Sequence, residues 1–484
     1  MSDKQFQRKI ASATKWSAIT QIISKIITPL TNMILARLLA PEAFGVIVTV
    51  TMIISFAEMF TDSGFQKYLI QHEFKNLKHR YDSTNVAFWT NLGLAILIWG
   101  IIVLFNEEIA IMVGNPGLGM VIIVACIQLP LTSFSSIQMA MYRRDFDFKT
   151  LFIVRVIGIL IPLIVTIPLA MIGLDYWSLI IGMICMQVFN AVFLTIKSPW
   201  KPKLFYDTKL LFEMLSFSMW SLFEAISIWL TLWIDAFIIS SFLSEYYLGI
   251  YKTSTTMVNS LMSLVTASII PVLFSTLSRL QSNEKKFKQS FYKFQRIVAY
   301  LVLPMGFGVF IYSDLATSIM LGSQWKEASN VIGIWALTSS FLIVTSHFNS
   351  EVYRSKGKPK ISLFSQLITL AFLIPTCLIS VKYGFWTLVY ARALIRFQGV
   401  ITGFIIMKLI MDFSIIQTLK NLTMPLVLTS IMSLVAFLLT QISNTVLWSL
   451  ISIIICIVVY LSLFIIFEKE DSMFLRRVLK NRTI

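Results

Sequence analysis

The chain has 484 residues, of which 57% are hydrophobic and only 13% charged, and its formal net charge is +16. A soluble domain carries about 25% charged residues and lacks apolar runs near 20 residues long, whereas such runs recur here from one end of the chain to the other. These values exclude a soluble globular enzyme and predict an all-α polytopic membrane protein, because only helices and closed barrels satisfy the backbone in lipid.

The opening MSDKQFQRKIASATKW is polar and amphipathic, without the short apolar core of a cleavable signal. The first predicted span, 13–36, carries Lys15 and Lys25 and runs into ARLLAPEAFGVI (36–47), where Arg37, Pro41, Glu42 and Gly45 interrupt the apolar pattern. Pro41 and Glu42 are expected to stop the helix and Gly45 to permit a tight turn at the outer margin. Further spans are expected at 43–62, 84–105, 118–140, 151–172 and 176–196, then at 209–240, 248–277, 297–312, 328–350, 361–381 and 385–407. The last two, 422–441 and 446–467, bring the number to about fourteen, each near the length of about 20 residues that crosses a bilayer.

Basic residues fall on alternate breaks. Lys67, Lys75, Lys78 and Arg80 occupy the second, Arg143, Arg144 and Lys149 the fourth, and Arg279, Lys285, Lys286 and Lys288 are among those in the eighth. Lys and Arg mark cytoplasmic loops, so both termini are expected in the cytoplasm and the protein in the cell (inner) membrane. The positive charge is thus a topology signal matched to anionic lipid, and no nucleic-acid partner is expected. The outer breaks are short, the longest being SDLATSIMLGSQWKEAS. That speaks against a membrane glycosyltransferase or polymerase with a large external catalytic loop. DFD at 145–147 lies in a solvated inside loop and is weak as a sugar-nucleotide signature. There is no G-x-x-x-x-G-K-[ST] phosphate loop, which disfavours a nucleotide motor. Cys126, Cys185, Cys377 and Cys456 lie in apolar runs without paired spacing, so they read as small core residues.

The chain is built twice. Gly249 in SSFLSEYYLGIY (240–251) matches Gly45 at an offset of 204, GLDYWSL returns as KYGFWTL, and AMYRRDFDFK is echoed by EVYRSKGKPK. Residues 1–205 and 206–410 are therefore expected to form two six-helix lobes of like orientation, with 411–484 an appended helix pair and tail. In transporters of this build the substrate site lies in the seam between repeats.

The stretch ILARLLAPEAFGVIVTVTMIISFAEMFTDSGFQKYLIQ (34–71) supplies Arg37, Leu38, Leu39, Pro41, Glu42, Phe44 and Gly45, then Asp62, Gly64, Gln66 and Gln71. It resembles the opening hairpin of Wzx-type polysaccharide flippases of the MOP superfamily, most of all the colanic acid and teichuronic acid exporters. MAMYRRDFDFK (139–149) is similar to that family's junction between helices four and five. The second-lobe copy carries Ser244 and Glu245 in place of the Pro-Glu pair, so it supports duplication but not the branch. The resemblance implies a flippase, not an enzyme, with a polyprenyl-pyrophosphate-linked glycan as substrate, no cofactor and no metal. It also implies the lipid bilayer, a polysaccharide polymerase and assembly proteins as partners.

An ionisable residue at mid-bilayer costs at least about 2.5–3.5 kcal/mol on insertion scales and is a functional candidate by default. Lys15, Asp62 and Glu213 lie near inside ends and Asp235 and Lys252 near the outer margin, which leaves Lys25, Arg155, Glu224, Arg392 and Arg396 as the harder cases, with Glu58 in the second span. Arg392 and Arg396 are four apart and share a helix face. Guanidinium forks bind phosphate oxygens in bidentate fashion, so Lys25, Arg155, Arg392 and Arg396 are candidates to hold the pyrophosphate; locking helices together is the competing role. Glu58, Glu224 and Asp235 are candidates for gating or ion coupling, with charge balance as the alternative. His72, His79 and His347 read as ordinary hydrogen-bonding residues. A MATE-type exporter of cationic compounds and a lipid II-type flippase are the alternative readings of the whole. The first would favour a carboxylate-rich seam, and the second fits the hairpin less well.

Overall fold

The computed structural model describes residues 3–62, 65–443 and 445–468, and no strand occurs among them. It divides into two compact units, Met1–Lys252 and Thr253–Ile484.

In the first unit α1 (Asp3–Leu38) is followed by α2 (Pro41–Asp62), and the short α3 (Phe65–Gln71) precedes α4 (Leu77–Leu104). Asn76 caps α4 by accepting the His79 N–H at 2.8 Å, which satisfies one of the donors a helix start leaves open. Next come α5 (Asn106–Met112), α6 (Gly119–Cys126) and α7 (Gln128–Arg144). Asp147 caps α8 (Phe148–Ile161), which passes through a π-helical turn, Pro162–Thr166, into α9 (Ile167–Met171). Then α10 (Asp175–Lys197) and α11 (Thr208–Phe242) complete the helices lying wholly in this unit. The division falls within α12 (Glu245–Arg279).

The second unit continues with α13 (Glu284–Ile311), α14 (Ser313–Met320) and α15 (Ala328–Leu342). A second π-helical turn, Ile343–His347, leads to α16 (Asn349–Ser355). The remaining helices are α17 (Pro359–Ser380), α18 (Phe385–Met411), α19 (Ile415–Thr440) and α20 (Val446–Phe467).

Among the described residues thirteen helices are long and apolar enough to cross a membrane, or fourteen when the bent α12 is taken as one span. They follow the expected spans in order. Several begin earlier than the apolar pattern does: α4 starts at Leu77, not 84, and α13 at Glu284, not 297. Hydropathy registers the part of a helix in hydrocarbon, while intrahelical hydrogen bonding carries the helix on through polar turns outside it.

Apolar burial organises each unit. Val50, Ile54, Ala95, Ile122, Leu129 and Ile180 form a core joining α2, α4, α6, α7 and α10. In the second unit Tyr300, Leu428, Met432, Cys456 and Tyr460 join α13, α19 and α20. The π-helical turns are packed, not loose. A Cβ on Gly182 would overlap Thr166 Oγ1 and stand 3.2 Å from Thr166 Cβ, so only glycine lets α10 approach the first turn. At the second, Gln295 Nε2 donates to the Val344 carbonyl at 2.8 Å.

The turn role expected of the repeated hairpin residues is corrected. Gly45 and Gly249 lie inside α2 and α12, one turn past their first residues, not in turns. Pro41 starts α2 instead of ending α1, because the first helical position needs no N–H and its φ is already helical. The glycines serve close approach instead. A Cβ on Gly45 would come within 2.6 Å of the Glu245 carbonyl carbon, and one on Gly249 within 2.7 Å of that of Pro41. Arg37 and Glu42 are exposed beside this crossing.

Candidate functional site

A polar constellation among the described residues of the second unit is centred on α18, a helix long and apolar enough to cross a membrane. Arg392 and Arg396, both half-buried, project from one face of it, as their spacing requires. Both guanidinium groups lie over the Trp335 ring of α15, with Arg396 Cζ 4.1 Å and Arg392 Cζ 5.4 Å from its centroid. Arg396 also donates to Ser339 Oγ at 2.9 Å and Thr338 Oγ1 at 3.2 Å. Trp335 is 6% exposed, and its indole N–H donates to Asn259 Oδ1 at 3.2 Å. Two like charges thus share one π face, and hydroxyls accept from one of them. Chemically this can receive a divalent or higher anion, for which guanidinium forks are suited.

The other expected cations lie in the first unit. Lys25 on α1 is half-buried and Arg155 on α8 is exposed, on helices that pack side by side. Glu58 is half-buried on α2. The Glu224 side chain lies outside the described residues.

Asp235 is buried on α11. Its Oδ2 accepts from the Tyr251 hydroxyl at 2.7 Å, and Lys252 Nζ stands 3.9 Å from its Oδ1. Lys252 also donates to the Leu232 carbonyl at 2.7 Å and lies 4.4 Å over the Trp233 ring. A carboxylate this buried requires hydrogen bonds and a counter-charge, and α12 supplies both from adjacent residues. Nearby on α11, Ser240 Oγ accepts from Asn115 Nδ2 at 2.8 Å and lies 3.3 Å from Thr49 Oγ1, all three residues being buried.

At the other end of α11, Glu213 accepts from the Tyr68 hydroxyl at 2.9 Å and lies 3.5 Å from His72 Nε2. Burial first, and the Glu213 hydrogen bond second, push the Tyr68 phenol above its ordinary range. Glu213 and Asp235, on the same helix, therefore do not share surroundings: Glu213 faces α3 and its following loop, whereas Asp235 faces α12.

Sequence reading reached the arginine pair through its spacing but missed Trp335, Asn259, Thr338 and Ser339. A signal existed: Trp335 stands seven residues inside a span, away from the interfacial belt where tryptophan is usual, and small hydroxyl residues follow it. It also missed the pairing of Asp235 with Tyr251 and Lys252.

The sequence profile of a family described as "Polysaccharide biosynthesis protein" matches residues 34–330. The succinoglycan biosynthesis transport protein ExoT of Rhizobium meliloti (strain 1021) is 23% identical over 335 residues, 69% of this chain and 67% of that protein. The lipopolysaccharide biosynthesis protein WzxC of Escherichia coli (strain K12) is 21% identical over 379 residues, 77% of this chain and 75% of that one. Among solved structures, the lipid II flippase MurJ in an inward closed conformation aligns with a TM-score of 0.73 at 14% identity, covering 94% of this chain and 98% of that one. A multidrug resistance MATE family transporter of the MOP superfamily, inward-facing, aligns at 0.62 and 13% identity, covering 81% and 96%. At such identities the structural likeness is one of fold.

Proposed function

The chain belongs to the polysaccharide biosynthesis protein family, and from that premise we propose that it is a flippase carrying a polyprenyl-pyrophosphate-linked oligosaccharide from the inner to the outer leaflet by alternating access. The observation that carries this reading is the paired Arg392 and Arg396 over Trp335 in a membrane-spanning helix. A lipid-linked sugar presents one densely anionic group in an otherwise neutral or apolar molecule, and two fixed guanidinium groups offset that group's desolvation. Lys25 and Arg155 are further cationic positions for the same headgroup, and Glu58, Glu224 and Asp235 serve gating or ion coupling. An apolar groove of about 450 Å³ among α13, α14, α19 and α20, lined by Pro304, Met305, Met432 and Ile457, has the chemistry for part of the prenyl chain.

Transport on this reading breaks no bond and needs no cofactor. The membrane is the inner membrane, with both termini cytoplasmic as the alternation of basic loops implies. Residues 1–205 and 206–410 act as the two repeats, with 411–484 appended, and a polymerase and assembly proteins take up the product.

Native mass spectrometry of the gently extracted protein tests the substrate class. A bound mass that fragments into a polyprenyl pyrophosphate and a glycan is the expected result. Stabilisation by a cationic dye, with none by added polyprenyl-pyrophosphate glycolipid, would overturn it.

A further inference from the structure

We infer that the connector 198–207, between α10 and α11, is a binding surface for anionic phospholipid, meeting the headgroup with lysines and the acyl boundary with Leu204, Phe205 and Tyr206. The inference does not depend on what the chain transports. In SPWKPKLFYD the tip LFY follows Lys203 and is closed by Asp207, with Lys209 just beyond. Leu204 is 93% exposed, and Phe205 and Tyr206 are exposed beside it. Adjacent uncovered apolar side chains rimmed by polar residues mark a contact surface, and its occupant follows from where the loop is held.

The loop is pinned along α4. Asn85 Oδ1 accepts the Lys203 N–H at 3.0 Å, the Trp89 indole N–H donates to the Lys203 carbonyl at 2.8 Å, and the Tyr206 hydroxyl lies 3.0 Å from Thr90 Oγ1. Trp200 is buried against Phe88, their ring centroids 5.7 Å apart. These anchor points lie about 12–20 Å along α4 from its first residue, Leu77. They bracket the change from the polar LKHRYDSTN to the apolar run that opens VAFW. That change marks the level at which α4 enters hydrocarbon, so the tip lies at the headgroup boundary, where tryptophan and tyrosine are usual. Lipid covers it there, not water. The exposed charge beside it is basic: Lys197, Lys203 and Lys209 are all exposed, while the neighbouring carboxylate, Asp207, accepts the Lys209 N–H at 2.8 Å as the cap of α11. Lys201 is turned the other way, its Nζ donating to the Thr195 and Ile196 carbonyls at the end of α10. Each lysine at this level favours an anionic headgroup by about fivefold, and apolar side chains add to that attraction as they bury.

The test uses the full chain in lipid nanodiscs that carry a trace of phosphatidylglycerol or, in parallel, phosphatidylcholine, each bearing a diazirine at the glycerol end of one acyl chain. Crosslinks are mapped by peptide mass spectrometry. Segment 203–206 is expected to be labelled about tenfold more by the anionic probe. Lys203→Gln/Lys209→Gln should bring that preference close to one, whereas Lys201→Gln should leave it unchanged. Leu204→Ser/Phe205→Ser should lower labelling by both probes about threefold with the preference kept. Wild-type protein labelled equally by the two probes, or by neither, overturns the inference without recourse to any variant. So does a preference that survives in Lys203→Gln/Lys209→Gln. Polyprenyl pyrophosphate at about one hundredth of the phospholipid should displace none of the labelling; displacement would assign the surface to the transported lipid, overturning this inference while leaving the proposed function in place.

Discussion

Gly45 packs against the first peptide of α12 at Glu245, and Gly249 packs against the first peptide of α2 at Pro41. Pro41 and Glu245 differ by the same 204 positions as the two glycines, so each helix start receives the other's glycine. This is the reciprocity of a two-fold interface, realised within one chain.

Replacing either glycine by alanine forces two backbones apart. Gly45→Ala and Gly249→Ala should each destabilise by about 1–3 kcal/mol, as overpacking does. Gly93→Ala, on α4 with nothing within 4 Å of an added Cβ, should be neutral or stabilising by up to about 1 kcal/mol. Thermal unfolding of the three purified variants in detergent checks the contrast.

The first π-helical turn yields a suppressor test. Gly182→Ala should lower thermal stability because its Cβ would overlap Thr166 Oγ1, and a β-branched side chain in a helix has little freedom to rotate away. Adding Thr166→Ala removes the overlapping oxygen and should return most of the loss. A double variant as unstable as Gly182→Ala would show that the turn itself, not the threonine, sets the spacing.

The buried carboxylate gives a third expectation. Tyr251→Phe removes a hydrogen bond to a charged, buried acceptor and should cost about 1.5–3 kcal/mol. Asp235→Asn should make much of that loss disappear, since a neutral amide needs the phenol less. A double-mutant cycle on unfolding free energy reads the coupling directly; zero coupling would mean that Asp235 is held by other groups.

Transport itself separates the roles weighed for the arginines. Arg396→Lys keeps the charge but loses the planar stack and fork, and should lower export of the lipid-linked glycan severalfold while leaving membrane abundance unchanged. Arg392→Ala and Arg396→Ala should abolish export at equal abundance. Variants lost from the membrane in proportion to their lost export would instead show helix locking.

The spans were legible because the bilayer imposes a long apolar run on every crossing, and the alternating basic breaks stood out for a similar electrostatic reason. The short helices α3, α5 and α14 left no such trace, since nothing requires them to cross hydrocarbon. Within the site, Arg392 and Arg396 could be placed on one face because that follows from helix geometry alone. Trp335 and Asn259 could not be joined to them, because which helices face one another is decided by packing between elements 57 or more residues apart in sequence. The glycines were assigned the wrong task for a related reason: glycine serves a bend and a close approach equally well, and only the neighbouring backbone distinguishes them.

Each π-helical turn, 162–166 and 343–347, accommodates one residue more than the α-helical path around it would need. Removing a residue elsewhere in a spanning helix rotates everything beyond it by about 100° and withdraws it by about 1.5 Å, turning packed faces towards lipid. Removing one inside either turn lets the local path relax to an ordinary α-helix while the flanking segments keep their places. Tolerance to a change in chain length is therefore concentrated at these two points of the spans that contain them, where a single-codon deletion changes the contacts of the turn itself but leaves the flanking faces in register.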